Sequence, residues 1–415
     1  MARIDWPDTP SLGAELDEFR LRMRTWIAEN RPPELDVLRD WNPYMGERPT
    51  EVPEVARPAF EEWTRRLRAA RLICAEWPSE YGGSDFTPIQ AAILAEEMEA
   101  ARAPVVTRGP GELLVGPAVL AHGTPEQKQR FIPGIISGQD RYCQGLSEPD
   151  AGSDLAAVRT RGEVEGDQIF ITGQKVWTSE AADATHIIVL CRTDPSAPKH
   201  RGLSVVLVEI DPRYVTMRPL RQMPGGAEFC EVFFERAPAP LSSVIGGLNN
   251  GWRVVLTALS YERGGAATVH HLRFRQEVAA LAELIRWRGR AADPRARRQL
   301  AWAYAQVELM RYQGLRLMNS LHEGLPPDNG SPSVRKLFWS EYHQRFCAEA
   351  LALLGADAAA APSEFRERIR GWRELYLWSR AETIYAGTSQ IQRNIIGEQI
   401  LGLPREPIVR GGEQS

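Results

Sequence analysis

The feature that most constrains the fold is a change in the spacing of the hydrophobic residues, which happens twice along the chain. In residues 1–138 they recur at helical spacing, as in the segment 15–29 that ends before Pro32. In residues 139–247 they form short runs, rich in β-branched and aromatic side chains and separated by Gly, Pro and Asp, as in strands. Helical spacing returns in residues 248–415. The sequence therefore predicts three domains in the order helical, β, helical.

Residues with strong preferences for helix ends mark several boundaries. Proline at the first helical position follows Thr87, Thr124 and Asp293. Capping boxes are predicted from Thr124 to Gln127 and from Ser389 to Gln392, and the last helix is expected to end near Gly402 and Pro404.

The clearest strands follow one another without helical segments between them. We therefore expect an α+β fold with an antiparallel central sheet rather than a doubly wound parallel one. The predicted strands are QIFITG at 168–173, THIIVLCR at 185–192, LSVVLVEI at 203–210 and CEVFFE at 230–235.

Composition excludes several classes of protein. The chain has 415 residues, 43% of them hydrophobic, which is enough for a large core. Its 50 basic and 54 acidic residues leave a net charge of -4, with no basic block of the kind that binds nucleic acid. No signal sequence is recognisable and no apolar stretch approaches the roughly 20 residues that cross a bilayer, so we expect a cytoplasmic protein without membrane contact.

Cysteine and histidine usage gives no indication of a disulfide framework or a metal site. The five cysteines are scattered and form no CxxC pair, and the seven histidines lack metal-ligand spacing. We expect reduced, mostly buried cysteines and no metal.

Three longer segments carry the chemistry of the chain. They are CQGLSEPDAGSD at 143–154, GQKVWTS at 173–179 and IYAGTSQIQRN at 384–394, supported by WPSEYGG at 77–83, GTPEQKQRFIP at 123–133 and SYERGG at 260–265. Together and in this order, from about residue 70 to 405, they resemble the acyl-CoA dehydrogenase family. The resemblance implies a C-terminal four-helix bundle, an FAD cofactor, an acyl-CoA substrate and electron-transfer flavoprotein as the electron acceptor.

The first segment resembles the family motif that holds the flavin ring and its pyrophosphate. The matching residues here are Leu146 and Ser147 at the ring, and Gly152 and Ser153 near the pyrophosphate, with Ser153 also near the substrate. Oriented N–H donors suit the flavin nitrogens and carbonyls and the anionic oxygens. Gln144 stands where relatives often carry an aromatic side chain.

Two further segments resemble flavin-contacting parts of the family. Trp177 matches the tryptophan that packs on the flavin ring, with Thr178 and Ser179 beside it, and Ser179 replaces the usual threonine. Near the C-terminus, Gly387, Thr388 and Gln390 match the family's contacts to FAD.

In this family an arginine and a glutamine eleven residues later reach the flavin of a neighbouring subunit. Arg288 and Gln299 have this separation, although the residues between them lack the usual phenylalanine-glycine pattern. The resemblance therefore implies at least a dimer, as a homodimer or homotetramer.

The usual catalytic glutamate is absent, since Ala386 occupies its position. Some relatives carry the base on a helix just before an arginine, and SYERGG places Glu262 before Arg263 in this way. The resemblance thus implies that Glu262 removes the α proton while the β hydride passes to flavin N5. The Ala386 N–H would still polarise the thioester carbonyl, and Arg263 would assist CoA binding.

Three alternatives keep the same fold. The chain could be a non-catalytic subunit of a mixed assembly, an oxidase or monooxygenase that uses oxygen, or a dehydrogenase of acyl-carrier-protein thioesters. The sequence leaves the acyl group open, although a base on the helix is compatible with bulky substrates.

Overall fold

The N-terminal third is helical, as predicted. The computed structural model describes residues 4, 6, 11–38, 52–264, 269–323, 331–359 and 366–405. Capping boxes at Thr87 and Thr124 open two of the helices. The Oγ1 of each threonine accepts the main-chain N–H of Gln90 or Gln127, and the side-chain oxygen of that glutamine accepts the main-chain N–H of the threonine. The helices are α1 (Ala14–Asn30), α2 (Arg57–Ala69), α3 (Pro88–Ala100), α4 (Gly116–His122) and α5 (Pro125–Ser137), and a π-helical turn (Gly111–Val115) precedes α4.

The middle third forms one sheet with strand order β6-β7-β3-β2-β4-β5-β8, and β1 pairs with β4. Five of the seven pairings are antiparallel, but β1 runs parallel to β4 and β2 meets β4 in parallel at one position, so the predicted antiparallel sheet is in fact mixed. The strands are β1 (Tyr142–Gly145), β2 (Arg161–Glu165), β3 (Gln168–Ser179), β4 (His186–Arg192), β5 (Leu203–Glu209), β6 (Val215–Leu220), β7 (Phe229–Pro240) and β8 (Val244–Ile245).

The C-terminal third contains a four-helix bundle, in agreement with the expectation. Its core includes Phe274, Val307, Phe346 and Trp372, one from each of α7 to α10. The helices of this region are α6 (Gly251–Gly264), α7 (His270–Trp287), α8 (Pro294–His322), α9 (Ser331–Leu354), α10 (Arg366–Glu382) and α11 (Ser389–Ile395), and a π-helical turn (Ile396–Ile400) follows.

The helix α6 joins the three regions. Its buried residues Val254 and Val255 share a core with Ile27 and Trp63 of the N-terminal helices and with Leu203 of the sheet. The helix also packs against α4 and the π-helical turn before it, and against α9 of the bundle. The helix α6 therefore contacts all three regions.

All five cysteines are buried, as expected, and none forms a disulfide. Cys74 lies in the N-terminal region, Cys143, Cys191 and Cys230 in the sheet, and Cys347 in the bundle. Burial raises the pKa of the Cys191 thiol to about 12. Among the described residues there is no helix long and apolar enough to cross a membrane.

A buried ion pair ties the loop after β1 to β3. Lys175 is fully buried, and its Nζ lies 2.9 Å from Glu148 Oε1 and 3.0 Å from the main-chain oxygen of Leu146. The Glu148 carboxylate also accepts the main-chain N–H groups of Arg159 (2.7 Å) and Thr160 (2.8 Å). Burial opposes its charge, but Lys175 and these donors lower the pKa of Glu148 overall.

Replacing Lys175 tests how much this pair contributes. Lys175→Met leaves the Glu148 carboxylate buried without its cation, so we expect the free energy of unfolding in urea to fall by about 3–5 kcal/mol. Lys199→Met is the matched control, because Lys199 forms an ion pair with Asp154 in which both side chains are about half exposed, and such pairs contribute about 0–1 kcal/mol.

The loss of stability in Lys175→Met should depend on pH. Because the folded pKa of Glu148 is lowered, the stability it contributes is present above the ordinary carboxyl pKa of 4.5 and is lost as the pH falls through the folded value. The difference between the parent and Lys175→Met should therefore shrink in acid. Equal unfolding free energies for the two lysine variants at neutral pH would contradict the role of the buried pair.

Candidate active site

The loop after β1 is held against β3 by hydrogen bonds to its main-chain carbonyl oxygens. Besides the bond from Lys175 to Leu146, the main-chain N–H of Val176 donates to the main-chain oxygen of Ser147 at 3.0 Å. Leu146 is buried and Ser147 half-buried, while Gln144 lies half-buried within β1. With both carbonyls fixed against β3, the peptide planes of this loop have a defined orientation, which suits a site built from main-chain donors.

The two residues predicted near the pyrophosphate, Gly152 and Ser153, lie exposed further along this loop. A Cβ placed on Gly152 would meet no atom of the chain within 4 Å, so there is open space beside this main chain.

At the end of β3, an irregularity in the pairing with β7 between Lys175 and Thr178 turns one side chain outward. Trp177 has a φ of 59° and its indole is 57% exposed, although large aromatic residues rarely adopt this conformation. Phe229 contacts it edge-on, with ring centroids 6.1 Å apart. An exposed indole held in this way offers a flat apolar face to an aromatic ligand such as the flavin ring.

The two residues after Trp177 differ in exposure. Ser179 is half-buried, whereas Thr178 is fully buried, and its Oγ1 has no hydrogen-bond partner among the described residues.

The turn between α10 and α11 has an unusual main chain. Ala386 has a φ of 52° and Gly387 one of 88°, both in the left-handed region. Thr388 caps α11, since its Oγ1 accepts the N–H of Ile391 at 3.1 Å. The predicted capping box at Ser389 is therefore wrong: Ser389 is the first residue of the helix and is buried, because the threonine before it takes the capping position.

This turn presents main-chain donors. Within the described part of the chain, the N–H groups of Ala386, Gly387 and Thr388 have no protein acceptor. The Gln392 side chain, fully buried, donates from Nε2 to the oxygens of Ala386 (3.1 Å) and Gly387 (3.3 Å). Successive unpaired N–H groups form a concave site that favours negative charge on an oxygen. Gln390, the second residue of α11, is exposed.

Beneath this turn lies a buried cluster of charges from α7, α9 and α10. The Glu382 carboxylate is 3.2 Å from Arg273 Nη2 and 2.5 Å from His343 Nδ1, and the other ring nitrogen of His343 is 3.0 Å from Glu277. Burial lowers the pKa of His343, but the two carboxylates raise it well above its ordinary value overall. Lys336 Nζ donates to the main-chain oxygen of Glu382 at 2.8 Å, and burial lowers its pKa to about 8.

Glu262 and Arg263 occupy the last turn of α6, and their side chains lie outside the described residues. The main chain alone therefore locates the predicted base, on the helix that joins the three regions. Whether its carboxylate approaches Ala386 stays a prediction.

Arg288 and Gln299 lie on the bundle, away from the turn in sequence. Arg288 follows the last residue of α7, and its guanidinium is 2.5 Å from Asp357 Oδ2 and 3.4 Å from the main-chain oxygen of Leu354. Gln299 is half-buried on α8, and its Oε1 has no partner among the described residues. In one chain, then, Arg288 already has an acidic partner.

The sequence motifs included the turn, Gln392 and Trp177, but not the charged residues beneath the turn. Glu382 and His343 are buried polar residues on helices, and only a polar residue at a core-facing helical position could have drawn attention to them. In the described ranges, no group of three or more His, Cys, Asp or Glu residues is placed to hold a metal ion.

Comparison with known proteins agrees with this architecture. The chain matches the N-terminal, middle and C-terminal domains of acyl-CoA dehydrogenases over residues 15–139, 143–237 and 249–401. It is 40% identical over 396 residues to acyl-CoA dehydrogenase IpdE1 of Mycobacterium tuberculosis, a match that covers 94% of this chain and 99% of that protein.

Two solved structures are also similar. One, titled Tcur3481-Tcur3483 steroid ACAD, has a TM-score of 0.79 at 28% identity and covers 95% of this chain and 99% of the other. The other, the ChsE4-ChsE5 complex from Mycobacterium tuberculosis, has a TM-score of 0.73 at 26% identity and covers 96% and 100%. With all three domains matched in order, this chain belongs to the acyl-CoA dehydrogenase family, whose members are flavin-dependent oxidoreductases.

Proposed function

We propose that this chain catalyses the FAD-dependent α,β-dehydrogenation of an acyl-CoA thioester to the 2-enoyl-CoA. The observation that carries the proposal is the turn at Ala386, Gly387 and Thr388, whose three N–H groups have no protein acceptor. Loss of an α proton moves negative charge onto the thioester oxygen, and donors fixed in advance stabilise this charge. The Ala386 N–H is the proposed donor to that oxygen.

The base is proposed to be Glu262. Ala386 cannot accept a proton, so another element has to supply the carboxylate, and α6, which contacts all three regions, carries Glu262 in its last turn. Glu262 removes the α proton, and Arg263 beside it favours the anionic CoA ester. FAD, when bound, supplies the acceptor for the β hydride at its N5 position.

The residues present fit a flavin. The exposed indole of Trp177 offers a stacking face, and the main chain of Leu146 and Ser147 is held by its carbonyls, with its N–H groups proposed to face the ring. Gln144, Thr178 and Ser179 are proposed to line the same side. Open space beside Gly152 and Ser153 suits the pyrophosphate, and the proposed contacts on the other side are Gly387, Thr388 and Gln390.

We further propose a bulky, polycyclic acyl group. The likeness to a structure titled steroid ACAD supports this, and so does the small side chain of Ala386 in the turn, which leaves space that a glutamate would fill. Electron-transfer flavoprotein as acceptor, domain limits at 138 and 247 and a cytoplasmic location stay predictions.

A second subunit is proposed to complete the flavin site. A homodimer or homotetramer would supply Arg288 and Gln299 from a second copy. A mixed assembly is favoured by a separate observation, because Arg288 is already paired with Asp357 and the similar ChsE4-ChsE5 structure is titled a complex of two proteins.

The flavin contact of Arg288 can be tested with a matched pair of variants. The parent should purify yellow with about one FAD per chain in a homo-oligomer. Arg288→Gln should lower the FAD content, because it removes the cation, whereas Asp357→Asn breaks the same ion pair but keeps the guanidinium and should retain FAD. FAD is measured by absorbance after denaturation.

The outcomes separate the two assemblies. Equal FAD retention in the parent and both variants would remove Arg288 from the flavin site. A colourless chain that becomes yellow only with a related second protein would favour the mixed assembly over the homo-oligomer.

The base is tested by Glu262→Gln, which keeps the shape of the side chain but cannot accept a proton. Flavin reduction by acyl-CoA, followed by anaerobic stopped-flow absorbance, should slow by about 10²- to 10⁴-fold while FAD content stays the same. Glu235→Gln makes the same chemical change at an exposed strand position and should leave the rate unchanged.

A second variant tests whether position 386 can supply the base instead. Adding Ala386→Glu to Glu262→Gln should restore part of the rate, since Ala386 already carries a Cβ in its left-handed conformation. Recovery should be incomplete, because a misplacement of about 1 Å can cost about 10²-fold. Reduction by Glu262→Gln at the parent rate would mean that another residue takes the proton.

The acyl preference is tested by anaerobic flavin bleaching with a panel of CoA esters. We expect kcat/KM for a CoA ester with a steroid ring system to exceed that for a straight-chain ester by more than the roughly 10- to 200-fold that one methylene group supplies. Equal kcat/KM for both esters would contradict the bulky acyl group while leaving the dehydrogenation itself supported.

A further inference from the structure

The main chain at the proposed oxyanion donor is held in a conformation that its sequence does not favour. Ala386 lies in the left-handed region with a φ of 52°, which residues with a Cβ seldom adopt. Such a conformation persists only where the surroundings enforce it, and it often marks a functional position. The question is which contact enforces it.

The carboxamide of Gln392 is that contact. This side chain is fully buried, although glutamine is mostly exposed in proteins, and its Nε2 donates to the oxygens of both Ala386 and Gly387. The fit is close, because a Cβ on Gly387 would lie 2.5 Å from Nε2. The turn is further closed by the main-chain bond from Ser389 to the oxygen of Thr383, at 3.0 Å.

Peptide geometry connects this contact to the donors. In a trans peptide the C=O and the following N–H point in opposite directions. Fixing the oxygens of Ala386 and Gly387 toward Gln392 therefore directs the N–H groups of Gly387 and Thr388 away from it. The N–H of Ala386 belongs to the peptide before these two. The backbone angles of Ala386, including its φ of 52°, set the direction of this N–H relative to the fixed peptides.

We propose that Gln392 is a positioning residue that holds the main chain of the turn in the conformation in which the Ala386 N–H is aimed at the oxygen that gains charge during the reaction. This rests on the proposed function, since it assumes a thioester oxygen at this turn. In this role Gln392 acts through the main chain of the turn, to which its side chain donates.

Two variants separate a positioning role from a structural one. Gln392→Met keeps the length and removes both donors. Gln392→Glu keeps the shape and places a carboxylate against two carbonyl oxygens, yet it regains one O–H donor when it is protonated. Asn394→Met removes an exposed amide from the same helix and serves as the control.

We expect kcat for acyl-CoA oxidation to fall by about 10²- to 10³-fold in Gln392→Met, the effect of losing an oxyanion donor, with KM and FAD content unchanged. In Gln392→Glu, kcat should recover as the pH falls through the pKa of the new carboxyl group, and Gln392→Met should show no such recovery. Asn394→Met should behave as the parent.

Two measurements do not depend on turnover. Hydrogen exchange of the free protein should quicken at residues 383–388 in Gln392→Met and nowhere else. The ultraviolet absorption of a bound conjugated 2-enoyl-CoA should shift to longer wavelength on the parent, because the donors polarise its carbonyl, and this shift should be lost in the variant.

The results distinguish the possible failures. Faster exchange in the turn with an unchanged kcat would overturn the positioning role, and so would a loss of kcat accompanied by a matching loss of FAD or of thermal stability. If Gln392→Met does not fold, the pH profile of Gln392→Glu decides alone. A parent enzyme that no acyl-CoA reduces would refute the proposed function, whereas the exchange data would still report whether Gln392 holds the turn.

Discussion

The buried pair between Lys175 and Glu148 is the interaction on which the candidate site most depends. One ammonium holds the loop after β1, and one carboxylate holds that loop to the main chain before β2. Both charges are removed from water, so neither is tolerated without the other. Two residues after Lys175 the strand turns Trp177 outward, so the same strand fixes the loop and presents the aromatic face.

The order of the three regions could be predicted from the sequence, because hydrophobic spacing reports which faces are buried. The helices that begin at Pro88, Pro125 and Pro294 were predicted from their caps. Strands β1, β2, β6 and β8 were not. The strands β1 and β8 have only four and two residues, and β2 and β6 have several exposed residues. The parallel pairing of β1 with β4 depends on contacts between distant segments, which no local pattern contains.

The sequence also predicted part of the candidate site. Motifs identified the turn at Ala386 and the tryptophan of β3 because their residues are contiguous. Gln392 from α11 contacts the turn itself, whereas His343 from α9 and Arg273 from α7 contact Glu382, four residues before Ala386. Only the folded chain brings His343 and Arg273 to Glu382, and the polar character of these buried residues is the only sign of them in the sequence.

The distribution of the buried thiols has a practical consequence. Each of the three regions encloses at least one cysteine, in the form of Cys74, Cys143, Cys191, Cys230 and Cys347. A thiol reagent can modify one of these cysteines only when the region around it opens and the thiol ionises. Burial disfavours both steps. Peptide mapping after timed alkylation would therefore show the order in which the three regions open, and the native cysteines would be the only labels needed.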